Sequence, residues 1–134
     1  MKNVLVIPVL LFAVLLTGCV TTVGAKCVIP EPKPVLRHVV LFQWKEEATP
    51  GQVRAIEKAF SALPSKMGII EDFEWGTDVS VEQLADGFTH CFVVSFANEA
   101  DRDEYIAHPA HKAFVDLMGP SMNKVLVIDF WARD

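Results

Sequence analysis

The amino-acid sequence predicts an α+β domain whose elements follow the order strand, helix, strand, strand, helix, strand. Two periodicities predict it: apolar side chains alternate along four segments, and they recur every three or four residues in the segments between. Proline, glycine and clusters of polar residues separate these segments. We therefore expect the 134 residues to contain one folded domain, preceded by an N-terminal region of different composition.

The first half of the predicted domain contains a strand and the most regular helix. Residues 37–44 alternate as in a strand, and both faces of the strand are largely apolar. We therefore expect it to be covered on two sides, by helices or by a partner subunit. Thr49 and Pro50 suit the N-cap and the first residue of a helix, and apolar residues recur at helical spacing from there until Pro64.

The second half completes the pattern. Because Pro109 has no amide donor and a fixed φ, it is predicted to start a new helix and to split the helical region in two. The remaining predicted elements are two strands, two helical pieces and a last strand: residues 69–79, 89–96, 99–107, 109–118 and 125–131. The order βαββαβ is the ferredoxin-like pattern, in which helices cover one face of an antiparallel four-stranded sheet and leave the other face for something else.

The N-terminal region has the features of an export signal. A short polar start precedes an apolar run that is too short for a comfortable membrane span. The following segment, Leu16-Thr17-Gly18-Cys19, resembles a bacterial lipobox. The resemblance implies that residues 1–18 are a signal peptide, and that Cys19 becomes the first residue and carries fatty acyl chains such as palmitate. An ordinary cleaved signal, or a short anchor with a chance cysteine, is the alternative.

More than one acyl chain on Cys19 would anchor the protein stably to a membrane. Residues 19–35 contain one glycine and three prolines, so we expect a semi-extended tether that holds the domain, residues 36–134, off the membrane. Val20 follows the cysteine, and by resemblance to known sorting patterns this residue favours the outer membrane. The expected location is therefore the cell envelope, at the periplasmic face of the outer membrane if the host is Gram-negative.

Charge and cysteine content limit the classes of partner. The formal net charge is −5 and becomes −6 when Lys2 is removed with the leader, and there is no run of Lys or Arg. A nucleic-acid partner is therefore not expected. A disulfide between Cys27 and Cys91 is compatible with export, but Cys91 is equally compatible with a small buried apolar side chain. No dinucleotide fingerprint or zinc-finger spacing is present, so we expect no cofactor and no metal.

The segment from Tyr105 to His111 is the best clue to chemistry, because it places a phenol and two imidazoles within two turns. His111 would lie in the first turn of a helix, where unpaired amides favour the neutral imidazole that can accept a proton. The alternative is a structural helix junction, in which His108 caps the helix and His111 bonds to the backbone. A metal site at His108 and His111 has no clear third ligand.

Several motifs in order resemble the stress-responsive dimeric α/β-barrel (Dabb) domain family. The motifs are Arg37-His38-Val39-Val40-Leu41-Phe42, Trp75-Gly76-Thr77-Asp78-Val79, Thr89-His90, His108-Pro109-Ala110-His111 and Val127-Ile128-Asp129-Phe130. The resemblance covers about residues 37–131. It implies a ferredoxin-like fold and a homodimer that pairs two subunits through their sheets, which would cover the open sheet face.

The resemblance implies less about function, because the family contains plant stress proteins, bacterial domains of unknown role and a plant polyketide cyclase that needs no cofactor. Similarity to the cyclase implies that His111 is a general base and that Tyr105 orients a substrate. Glu57 stands where the cyclase has an aromatic residue and Val115 where it has a glycine, which implies a smaller and more polar cavity. The residues expected to line a ligand cavity are His38, His90, Val40, Phe42, Phe92, Ile106 and Phe114.

Three functions follow from these observations. The leading prediction is a membrane-anchored dimeric domain that binds a small, partly apolar molecule. The alternative is a cofactor-free enzyme in which His111 removes a proton next to a carbonyl group and Tyr105 positions the carbonyl oxygen, as in aldol cyclisation or isomerisation. The third possible function is that of a purely structural envelope protein. A structural role predicts a filled interior, whereas the binding and catalytic functions predict a cavity.

Overall fold

The computed structural model describes residues 33–133, in which a four-stranded antiparallel sheet carries three helices on one face. The strands are β1 (Leu36–Trp44), β2 (Asp72–Thr77), β3 (His90–Phe96) and β4 (Met122–Trp131). The helices are α1 (Pro50–Ser61), α2 (Glu99–Ala107) and α3 (Pro109–Met118), with short 3₁₀ turns at Pro64–Lys66 and Gly119–Ser121. The predicted ferredoxin-like α+β fold is confirmed, and its second helical region is divided at Pro109.

Two strands differ from their predicted bounds by more than one residue, whereas β1 and β3 differ by one residue at their starts. The second strand is shorter than predicted, because Ile69 and Ile70 pack against the core before β2 begins. The last strand starts three residues early, at Met122, because its pairing with β1 continues past an irregularity at Gln43 and Trp44. In both cases long-range packing and pairing decided the bounds, which local alternation does not encode.

Helix α1 begins with a capping box. The Thr49 hydroxyl accepts a hydrogen bond from the backbone N–H of Gln52 (3.3 Å), and the Gln52 side chain accepts one from the backbone N–H of Thr49 (2.8 Å). Pro50 occupies the first helical position as predicted. The helix buries Ile56 and Phe60 against the sheet.

His108 joins the second and third helices. It is the C-cap of α2 and the N-cap of α3, and its Nδ1 accepts a hydrogen bond from the backbone N–H of Ala110 at 3.1 Å. Pro109 follows as the first residue of α3. This junction places His111 in the first turn of α3, one helical turn from the end of α2.

The strand order β2-β3-β1-β4 gives the sheet two different faces. The face under the helices forms the core, which includes Val40, Phe42 and Phe92. The opposite face is apolar but uncovered in the single chain: on β4, Leu126, Ile128 and Phe130 keep between 41% and 50% of their surface exposed. Helices therefore cover one of the two sides that we expected to be covered.

Among the described residues, no helix is both long enough and apolar enough to span a bilayer. The predicted signal peptide (residues 1–18), Cys19, Cys27 and most of the tether (residues 19–35) lie outside the described residues.

Candidate functional site

A cavity of about 270 Å³ lies between the sheet and helices α2 and α3, above the edge where β4 pairs with β1. It contains seven of the nine predicted site residues: His38, Val40, Phe42, Tyr105, Ile106, His111 and Phe114. The lining also includes Phe60, Val115, Met118, Val125 and Val127. Among these lining residues none is Lys, Arg, Asp or Glu, so the only polar side chains are two imidazoles and a phenol.

Tyr105 is completely buried, and its hydroxyl has no hydrogen-bond partner in the described part of the chain. The centroid of its ring lies 4.5 Å from that of His111 and 5.7 Å from that of His38. Burial raises the pKa of Tyr105, so the phenol stays neutral and remains a donor. An unpaired buried hydroxyl costs about 1–3 kcal/mol, and such groups are rare in folded proteins.

His111 lines the cavity, and among the described residues only one of its two ring nitrogens has a hydrogen-bond partner. Its Nδ1 lies 3.2 Å from the Ile106 carbonyl oxygen, which can only accept, so in the neutral ring Nδ1 carries the proton and Nε2 is a free acceptor. Burial lowers the pKa of His111, against an opposing effect of the Ile106 hydrogen bond. A neutral His111 was predicted from its position at a helix end, whereas burial is the largest cause here.

His38 is held by a carboxylate from the neighbouring strand. Its Nδ1 donates to Asp129 Oδ1 at 2.6 Å across the β1–β4 pair, and Arg102 Nη1 donates to Asp129 Oδ2 at 2.6 Å. Burial opposes ionisation of Asp129, but the hydrogen bonds from His38 and Arg102 outweigh it and lower its pKa. An ionised Asp129 thus orients His38 and leaves its Nε2 as an acceptor, the arrangement in which a carboxylate positions a base.

Neither Asp129 nor Arg102 was predicted as a site residue. A signal was present for Asp129, since it is an acidic residue within an otherwise apolar strand. No local sequence pattern indicated Arg102, because the two residues of its contact with Asp129 are 27 positions apart and meet only in the folded chain.

His90 and Phe92 do not line this cavity, and this corrects their predicted placement. His90 accepts a hydrogen bond from Trp44 Nε1 at 3.0 Å through Nδ1 and donates from Nε2 to Glu57 Oε1 at 3.0 Å. Phe92 stacks on Phe60 with ring centroids 4.4 Å apart. Alternation placed both on the correct face, but β3 lies on the other side of β1 from β4.

Other features of the described chain do not add to this site. Among residues 33–133 no three or more His, Cys, Asp or Glu side chains are close enough together to hold a metal ion. A larger depression of about 460 Å³ lies under the loop between β2 and β3, and it contains neither Tyr105 nor His111.

Residues 36–132 match the family described as the stress responsive A/B barrel domain (Dabb), and the chain belongs to this family. It is 38% identical over 100 residues to a stress-response A/B barrel domain-containing protein of Arabidopsis thaliana, covering 75% of this chain and 92% of that protein. It is 30% identical over 98 residues to olivetolic acid cyclase of Cannabis sativa, covering 73% and 97%. The predicted similarity to a plant polyketide cyclase is therefore confirmed.

Solved structures show the same fold. Hydroxynitrile lyase from Passiflora edulis superposes with a TM-score of 0.72 at 27% identity, covering 77% of this chain and 97% of that one. A protein of unknown function from Thermobifida fusca superposes with a TM-score of 0.64 at 25% identity, covering 74% and 92%, and is described as a dimeric ferredoxin-like protein.

Proposed function

We propose that this domain binds a small, partly apolar molecule in the cavity beside Tyr105 and His111. The observation that carries the proposal is the Tyr105 hydroxyl, which is fully buried and unpaired within the described residues, on a side chain that lines an apolar cavity. A ligand oxygen would give the hydroxyl the hydrogen bond that the protein leaves unmade. A filled interior, which a purely structural role predicts, would not contain a cavity of about 270 Å³.

Native mass spectrometry of the gently purified full-length protein tests this proposal. We expect a defined extra mass, which His111→Gln should release. His90→Gln is the matched control, since it makes the same change at a buried histidine outside the cavity. Retention of the ligand by the His111 variant together with loss from the His90 variant would contradict the proposed site.

We infer that the protein acts as a homodimer. The uncovered apolar face of β4, with Leu126, Ile128 and Phe130 exposed, supports this state, and so does the dimeric description of the related Thermobifida fusca protein. Ile128→Glu should therefore give a monomer in size-exclusion chromatography with light scattering. Val81→Glu, at a loop position that is 91% exposed, is the control that should leave the dimer intact. A dimer that survives Ile128→Glu would contradict pairing through this face.

We further propose that acyl chains on Cys19 anchor the protein to the envelope membrane, at the periplasmic face of the outer membrane in a Gram-negative host. The lipobox-like segment before Cys19 supports this. Cys19→Ser should move the protein from the membrane fraction to the soluble fraction, whereas Cys27→Ser should leave it in the membrane. Persistence of the Cys19 variant in the membrane fraction would exclude lipid anchoring at this residue.

A second candidate function is cofactor-free acid/base catalysis, and the free Nε2 of His111 favours it. A carbonyl compound in the cavity would lose an α-proton to Nε2, while the Tyr105 hydroxyl donates to the carbonyl oxygen that gains the charge. The names of two relatives, a cyclase and a lyase, agree with an enzyme of this fold.

Proton exchange separates the binding and catalytic functions. In D₂O an active protein should replace the α-protons of a small aryl methyl ketone by deuterium, and NMR measures this loss. His111→Gln should abolish the exchange, whereas His90→Gln should retain it. Exchange that persists without His111 would remove this residue from the base role.

A further inference from the structure

We propose that the cavity selects neutral molecules that carry a hydroxyl group on an apolar ring, and that it excludes carboxylates and phosphates. This inference rests on the proposed binding function and adds the chemical class of the ligand. Three observations carry it: the charges around the cavity, the unpaired donors and acceptors inside it, and the shape of its walls.

The charges around the cavity disfavour an anion. None of the described residues that line the cavity is Lys or Arg. Arg102 is not among the lining residues, and its guanidinium already donates to Asp129 through Nη1 and to Asp103 through Nε at 2.8 Å. Arg102 is therefore already paired with two carboxylates, and an anionic ligand in the cavity would be buried without a cation to pair with it.

The unpaired polar atoms match a hydroxyl group. The Tyr105 hydroxyl is a donor without an acceptor, and the Nε2 atoms of His38 and His111 are acceptors without a donor among the described residues. A ligand hydroxyl accepts from the phenol and donates to an imidazole at the same time. An ether oxygen satisfies the phenol alone, and a carboxylate has no proton for either imidazole.

The walls of the cavity suit a small ring. Phe42, Phe114 and Tyr105 present aromatic surfaces, and aromatic groups pack well on one another. A cavity of roughly 150 Å³ is enough for benzene, so a volume of about 270 Å³ accommodates a ring with a short substituent.

Three ligands of similar shape test the inference: para-cresol, its methyl ether and para-toluate. Binding to the full-length protein in nanodiscs is measured by calorimetry against empty nanodiscs, at about pH 8, where the carboxylate is ionised. We expect para-cresol to bind about tenfold more tightly than the ether, because a buried partner left unpaired costs that much, and para-toluate to show no binding. Tyr105→Phe should weaken para-cresol about tenfold, and His90→Gln should leave its affinity unchanged.

The outcomes separate this inference from the proposed function. Equal affinities for para-cresol and its ether, or binding of para-toluate as tight as that of para-cresol, would overturn the hydroxyl selectivity while leaving the cavity as a binding site. Binding of none of the three ligands, together with no retained mass in native mass spectrometry, would overturn both.

Discussion

The two buried histidines on the helix-facing side of the sheet, His38 and His90, have opposite surroundings. Each comes from an inner strand, and each is at most 8% exposed. His90 has both ring nitrogens bound within the protein, by Trp44 and Glu57, among closely packed aromatic rings. His38 has one nitrogen bound by Asp129 and borders an open cavity.

The comparison shows that burial does not make a histidine functional. A histidine whose two nitrogens are paired in the core contributes to stability and has no atom left for a ligand. A histidine with one nitrogen held by a carboxylate and the other facing a cavity is oriented and still able to accept a proton. The region around β3 and α1 is therefore expected to control stability, and the region around β4, α2 and α3 to control binding.

The greatest loss of stability is expected from a change in the region around β3 and α1. Phe92→Ala should lower the free energy of unfolding by about 3–5 kcal/mol, because Phe92 is fully buried among other rings and its loss leaves a void. Val115→Ala, at the half-exposed rim of the cavity, should cost less than about 1 kcal/mol. Urea denaturation measures both, and similar losses for the two variants would contradict the division into two regions.

A smaller loss of stability is expected when the hydrogen bond between His90 and Glu57 is removed. Glu57→Ala leaves the Nε2–H of His90 without an acceptor and should lower the free energy of unfolding by about 1–3 kcal/mol. Glu57→Gln keeps an acceptor oxygen and should recover part of the loss. Neither change should alter ligand affinity in the cavity. A large loss of affinity with full stability would mean that this pair belongs to the binding site.

Tyr105→Phe is expected to have effects of opposite sign on stability and on ligand binding. Removing a buried, unpaired hydroxyl should leave the stability of the free protein unchanged or raise it by about 1 kcal/mol, as measured by urea denaturation. The same change should weaken binding. A clear loss of stability would instead indicate that the hydroxyl has a structural partner in the folded protein.

The smallest expected effect is the pH dependence of stability from His111. Its folded-state pKa is lowered from the ordinary value of 6.5, so at pH values between the two the unfolded chain binds more protons. Stability should therefore be complete above about pH 6.5 and decline as the pH falls toward the folded-state pKa. His111→Gln should flatten this part of the curve in urea denaturation at a series of pH values. If the dependence of stability on pH stayed the same in this variant, burial would not lower the pKa of His111.

Local patterns were sufficient for most of the fold. The two helices that meet at Pro109 cover the predicted residues, because a proline without an amide donor suits the first position of a helix, which is a local preference. Thr49 is the N-cap of α1 for a similarly local reason, although its partner Gln52 was not foreseen. Strand ends were less well predicted, because pairing between distant segments sets them.

The element order, the helix starts and the proximity of Tyr105 to His111 could be predicted from the amino-acid sequence, since they depend on residues a few positions apart. The packing of the whole chain, in contrast, set which histidine lines the cavity beside Tyr105. His38 meets Asp129 across 91 positions, and His90 meets Glu57 across 33. Alternation assigns a residue to a face of the sheet, but its hydrogen-bond partners follow from strand order and register, which arise when the whole chain packs.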